Sequence, residues 1–209
     1  MESAYWHGVI AAEMQLPTIA SRQLREQGFT IVPGPPLAGG VTQLLRAYDR
    51  AVAEADRADV SVGSSTRVKA FVNGGPEFDS IYVYPPVLAA CCQVINGPFK
   101  LSGMRARTLE PGAPVEALHV DGGHRADGWP IVGFIWMVDA FTSDNGATRF
   151  VPGSHLDPRD PRDVLDDATA LHSKQVMACG PAGSLVIFNG SAWHSHTSNE
   201  SAGRRRSVQ

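Results

Sequence analysis

The chain has 209 residues, 43% of them hydrophobic and 19% charged, a globular balance that excludes a mainly disordered chain. The formal net charge of −3 lacks the basic excess of a general nucleic-acid surface, and the longest apolar run, 131–138, is far short of the roughly 20 residues that span a bilayer. With no secretion signal in 1–17 and three cysteines that make no disulfide framework, the expectation is one cytoplasmic domain over 1–209, binding a small molecule and neither nucleic acid nor membrane. The oligomeric state is left open.

Gly 21 and Pro 15 imply many short elements joined by turns, which leans toward β structure. Residues 21–27 read as a short helix, with Ser21 as a possible N-cap and Gly28 as its stop. A strand follows over 29–32, ending at Pro33-Gly-Pro-Pro36. The apolar spacing of Leu44, Leu45, Tyr48, Ala51, Val52 and Ala55 predicts a helix over 41–56. Residues 59–76 read as an irregular loop, 81–84 as a short extended piece, and 87–95 as an apolar helix stopped by Asn96-Gly97-Pro98.

From residue 99 onward the pattern changes to strands: 99–108, 116–121, 131–138, 148–151, 175–178 and 184–188. Asp144-Asn145-Gly146 is a hairpin signal. The expected architecture is a helix-rich cover over about 1–98 and a strand-rich core over about 99–209, packed as one unit because a sheet face needs cover.

Seven histidines offer chemistry: His7, His119, His124, His155, His172, His194 and His196. On a strand, His119 and Asp121 point to the same face, which suits two adjacent ligands of a divalent metal, or a surface His–Asp pair. A third ligand is available in Trp193-His194-Ser-His196. Two histidines and one carboxylate on one face of a metal leave positions open, as in non-haem Fe(II) oxygenases. No cysteine stands near them, which argues against a thiolate zinc site. Arg205 follows His194 by eleven residues. The run Arg204-Arg-Arg206 is either a solvated tail or, if Arg205 faces inward, an anchor for a dicarboxylate.

His119-Val-Asp121, Asn145-Gly-Ala-Thr148, Phe150-Val-Pro-Gly-Ser-His155 and His194 with Asn199 and Arg205 together resemble the phytanoyl-CoA dioxygenase family of Fe(II)- and 2-oxoglutarate-dependent oxygenases, over about 20–209. The resemblance implies a double-stranded β-helix, a cupin-like jelly roll that is mainly β with N-terminal helices on one face. It implies His119, Asp121 and His194 as iron ligands and catalytic residues, Arg205 as partner of the far carboxylate of 2-oxoglutarate, and Thr148 as a further hydroxyl holding that co-substrate. Arg204 and Arg206 would face away from Arg205. His155 is expected as a structural histidine and Asn199 as a turn-former. His196 departs from the family pattern and stands as an alternative ligand. The loop between the His155 and His194 regions is short, and only four residues follow Arg205, as expected of a truncated chain.

The implied activity is that of a dioxygenase using Fe(II), 2-oxoglutarate and O2 to hydroxylate a C–H bond of a small organic molecule, with succinate and CO2 released. A carboxylate at Asp121 favours hydroxylation over halogenation; desaturation or ring formation would use the same ligands. Candidate pocket-wall residues are Phe71, Asn73, Tyr82, His124, Trp129 and Arg149. The rival readings are a non-enzymatic jelly roll that binds a metal or a small acid, and a cupin-type isomerase.

Overall fold

The structure, a computed structural model, describes residues 8–10, 14–123, 125 and 128–209. His7 and His124 lie outside the described residues. Two antiparallel sheets form the frame. The larger has seven strands: β1 (Phe29–Pro33), β2 (Val60–Val62), β3 (Thr66–Val68), β4 (Ala106–Leu109), β5 (Val132–Met137), β8 (Ser184–Asn189) and β10 (Arg205–Val208). Their order is β1-β8-β5-β10-β4-β3-β2. The smaller sheet is β7-β6-β9, from β6 (Thr148–Phe150), β7 (Val176–Met177) and β9 (His194–His196).

The centre of the large sheet is buried on both faces, and period-two alternation decides what each residue touches. On β5 and β8, Ile135, Met137, Val186 and Phe188 turn inward and pack with Phe150 of the small sheet. Their neighbours Trp136, Val138, Leu185 and Ile187 turn outward. That outer face is covered by α1 (Thr18–Gln27), α2 (Gly40–Ala53) and α3 (Pro85–Ile95), which supply Leu24, Leu44, Tyr48 and Ala90. Truncating Ile187, fully enclosed here, to Ala would cost about 2–5 kcal/mol. This is the double-stranded β-helix expected from the sequence, with helices on one face.

The helix boundaries follow local chemistry. α1 stops where Gly28 takes φ 86° and its N–H closes on the Leu24 carbonyl. A Cβ there would also sit 2.7 Å from His155 Nδ1, so position 28 needs glycine twice over. The cap at the other end is Pro17 rather than Ser21. α3 opens on Pro85-Pro86 and closes on Asn96 at φ 50°, as its flanking residues predict.

Several expectations are corrected: of 99–108 only 106–108 is strand, and 116–121 carries a single isolated bridge at His119 in place of a strand. Residues 59–76 contain the β2–β3 hairpin, which extends the large sheet beyond β4. With β1, that hairpin brings three strands from the first half of the chain, so the sheet is not confined to 99–209. Residues 81–84, expected as extended, carry no strand: the 3-10 helix Pro76–Ile81 runs on into a turn at Tyr82 and Val83. Asp144-Asn145-Gly146 does turn the chain, yet β5 and β6 do not pair: both edges of β5 are taken, by β8 and β10, so β6 goes to the other sheet.

Candidate active site

His119, Asp121 and His194 converge between the sheets, each offering a ligand atom within 4.8 Å of the others. The segment carrying the first two runs beside β9 as a ladder of single bonds. His119 and His194 exchange both backbone bonds at 3.0 Å, and the Asp121 N–H donates to the Gly190 carbonyl at 2.8 Å. Leu118 faces the other way, into a small cluster with Val151 and Trp193. The i, i+2 placement of His119 and Asp121 on one face is therefore realised.

Both imidazoles are oriented through the same contact. His119 Nδ1 lies 3.0 Å from the Ala117 carbonyl and His194 Nδ1 lies 2.8 Å from the Ala192 carbonyl. A carbonyl only accepts, so each Nδ1 carries the proton and each Nε2 presents a lone pair, the form a metal takes. Asp121 Oδ2 stands 3.7 Å from His194 Nε2. Phe150 and Phe188 wall His194 in, and burial pushes its pKa down, which keeps the ring neutral. Two neutral imidazoles and one carboxylate are a donor set that suits Fe(II) or a similar divalent ion.

Arg205 lies deeper in the roll, on the same inward face of β10 as Ser207. It is fully buried, with Nη2 donating to the Gly146 carbonyl at 2.8 Å and Nη1 to Ser207 Oγ at 3.2 Å. Its guanidinium lies over the Phe141 ring, 4.3 Å from the centroid. Nε has no partner, so a buried donor is left for an incoming acceptor. Burial, with the Arg107 charge nearby, pushes its pKa down to about 9, which still leaves it charged at neutral pH. Arg206, one residue on, faces outward to Asp139 and to Asp49 of α2, and Arg204 reaches Asp49 as well.

A cavity of about 500 Å³ opens beside the three converging residues, lined by them and by Thr148, His196, Phe188 and Ile131 among others. Thr148 sits directly across from His196 on the paired strands, as Phe150 does from His194. His196 is not among the three grouped ligand residues. Its Nδ1 is 3.0 Å from the Thr197 carbonyl, and its Nε2 is unpartnered, 3.6 Å from Glu116 Oε2. Burial, reinforced by Arg107, pushes its pKa down to about 4.

Sequence reasoning missed Glu116, Arg107 and Ser207. Glu116 accepts from Arg107 at 2.9 Å and from Arg67 at 2.8 Å. Burial works against its charge, but the Arg107 guanidinium outweighs this and holds the carboxyl down to about 2. Counting in twos from Asp121 places Glu116 on the wrong face, because the backbone before His119 is not a regular strand. Ser207 was readable as the i+2 neighbour of Arg205.

Of the candidate wall residues, Tyr82 lines the cavity. Phe71 is packed on the helix side against Phe78, Asn73 is exposed, and the Trp129 indole donates to the His155 carbonyl. Arg149 is not among the cavity-lining residues; it lies across from Ser195 and donates to the Glu116, Ala168, Thr169 and Ala170 carbonyls. It pins a loop rather than meeting a substrate. His155 is structural, bonded to the Arg25 carbonyl at 3.1 Å. Asn199 holds its turn through Leu109, Ser201 and Gly203.

Comparison with known proteins fits this geometry. Dioxygenase af480 of Aspergillus fumigatus is 30% identical over 142 residues, which are 64% of this chain and 44% of that protein. Dioxygenase cdmA of Talaromyces verruculosus is 34% identical over 110 residues, 48% of this chain and 35% of that protein. The chain thus spans less than half the length of these curated relatives. Among solved structures, the non-heme alpha-ketoglutarate-dependent carbocyclase SnoK from nogalamycin biosynthesis superposes with a TM-score of 0.74 at 19% identity, covering 95% of this chain and 83% of that one. HygX from Streptomyces hygroscopicus, solved with nickel and 2-oxoglutarate, gives 0.68 at 14% identity, covering 92% and 85%. These two likenesses are of fold. The sequence profile described as Phytanoyl-CoA dioxygenase (PhyH) matches residues 24–207, most of the chain, which therefore belongs to the phytanoyl-CoA dioxygenase family.

Proposed function

We propose that this chain is a non-haem Fe(II)- and 2-oxoglutarate-dependent dioxygenase that hydroxylates a C–H bond of a small organic molecule. The observation that carries the reading is the convergence of two imidazoles and one carboxylate, each with a ligand atom within 4.8 Å of the others, at the wall of a cavity large enough for a co-substrate and a substrate. Family membership supports the same reading. His119, Asp121 and His194 would hold Fe(II). Arg205, with its unpartnered Nε, would take the far carboxylate of 2-oxoglutarate. Thr148 lies across from His196 on the same wall and would hold the co-substrate further. Bound there, Fe(II) with 2-oxoglutarate and O2 supplies the oxidant, and succinate and CO2 are the co-products.

The chain's own part is positioning and exclusion. The Ala117 and Ala192 carbonyls fix both rings with Nε2 toward the site. Phe150 and Phe188 keep water from one side of His194. Asp121 fills the position that a halide would need, which favours hydroxyl over halide transfer. Among the described residues no helix is long and apolar enough to cross a membrane, and we place the chain in the cytoplasm, as a single domain.

The test is anaerobic. Fe(II) and then 2-oxoglutarate are added to metal-free protein, and the weak visible charge-transfer band of a chelated keto acid is sought. The band is expected in the wild type and is expected to require far more 2-oxoglutarate in Arg205→Ala. Iron binding without a band would overturn the co-substrate assignment. O2-dependent succinate formation then separates an oxygenase from an isomerase or a pure binder.

A further inference from the structure

The inner face of the large sheet carries more positive charge than the site above uses. Arg107 on β4 stands directly across from Arg67 on β3 and from Ser207 on β10. Arg105, two residues before Arg107, continues the same ladder through two backbone bonds with Gln209. Period-two alternation therefore sets Arg67, Arg105, Arg107 and Arg205 on one face, and the first three line the cavity with the metal-binding trio. Ala106 and Val68, the intervening residues, turn outward to the helix-side core.

Like charges facing each other across a ladder are destabilising, so this arrangement needs counter-charge. Glu116 supplies one unit, between Arg67 and Arg107. Arg205 lies deeper and is not part of this lining, whereas Arg105 is exposed on the cavity wall and forms no ion pair among the described residues. Lys100, also exposed, lines the same wall. The rest of that outer lining includes Ile131, Phe134 and Phe99, which suit hydrocarbon.

We propose that the substrate of this site is an apolar carboxylic acid whose carboxylate seats on Arg105. The inference deepens the oxygenase reading and rests on it only for calling the ligand a substrate. A guanidinium on the wall of an apolar-lined cavity binds a carboxylate by charge-assisted, bidentate contact. A neutral alcohol of the same length gains only the apolar contacts, and an amine is repelled.

The test is a calorimetric titration of the full chain, metal-free, with octanoate, octanol, octylamine and octyl phosphate at fixed ionic strength. Octanoate is expected to bind tightest. In Arg105→Gln its affinity is expected to fall about tenfold or more, with octanol unchanged and with Arg105→Lys keeping most of the octanoate affinity. Octanol matching octanoate, or Arg105→Gln leaving octanoate unaffected, would overturn the proposal. So would Arg105→Gln weakening octanol equally, since the loss would then be one of structure. Octyl phosphate binding more tightly than octanoate, with the same dependence on Arg105, would replace the carboxylate with a phosphate ester. No metal or oxidation enters this titration, so an absent succinate signal would sink the oxygenase reading without touching this result.

Discussion

Among the described residues the roll holds two histidine–carboxylate pairs of nearly equal separation, and only one of them has the makings of a metal site. His194 Nε2 lies 3.7 Å from Asp121 Oδ2, and His196 Nε2 lies 3.6 Å from Glu116 Oε2. The difference is in what else holds the carboxylate. Asp121 forms no ion pair with Lys or Arg among the described residues and has a second imidazole beside it. Glu116 is committed to Arg67 and Arg107. A cation on a carboxylate competes with a metal for the same lone pairs, so distance alone does not make a ligand set. Charge balance around the carboxylate does.

The strongest way to break this comparison is Asp121→Ala. Outer-shell partners of a metal cost about 10–100-fold when removed, so loss of a ligand is expected to cost more than about 100-fold in succinate formation. Iron retained after dialysis would fall with it. Asp121 is exposed, so circular dichroism should stay unchanged. Full turnover in the variant would remove Asp121 from the ligand set.

Next in size is Glu116→Gln. It leaves the largely buried Arg107 guanidinium without its counter-charge, and a loss of about 1–3 kcal/mol in stability is expected. At about 2–4 °C per kcal/mol for a chain of this size, thermal melts resolve it. The same variant sharpens the pH dependence. The unfolded carboxyl takes up a proton near its ordinary value of about 4.3, whereas the folded one holds out to about 2. Acid therefore favours the unfolded chain, and this part of the stability is present above about pH 5 and lost as pH falls toward 2. Melting temperatures over that window should drop less steeply in Glu116→Gln than in the wild type; equal slopes would deny Glu116 its role.

The smallest expected effect is that of His196→Asn on iron. Its stoichiometry after dialysis should match the wild type, while His194→Ala loses the metal. Iron lost equally from both variants would restore His196 as a ligand.

What was legible in the sequence was what depends on neighbours along the chain. The His119–Asp121 face, the Gly28 stop, the apolar strand within 131–138, and the turn role of Asn199 each follow from residues a few positions apart. That Arg204 and Arg206 point opposite to Arg205 followed from alternation, while the choice of Arg205 as the inward one came from the family resemblance. What stayed hidden depends on partners far away. The Asn-Gly turn after β5 is locally a hairpin turn, and only the occupancy of both β5 edges sends the next strand elsewhere. The β2–β3 pair has three residues per strand, too few to show a period. Glu116 gains its meaning from Arg67 and Arg107, and no short-range spacing links 67, 107 and 116.

One consequence lies in how the molecule is assembled. β10 comes after every other strand in chain order, yet it sits between β5 and β4, in the middle of the large sheet. Until residues 205–208 are available, β4 and β5 each show an open edge, and the sheet exists as two separate pieces. Such a topology is slow to close and exposed to mispairing while it waits. The strand that ends the waiting also carries Arg205. During synthesis, a chain that has sealed its large sheet already holds that guanidinium between the two layers, so closure of the sheet and arrival of the buried cation are one event.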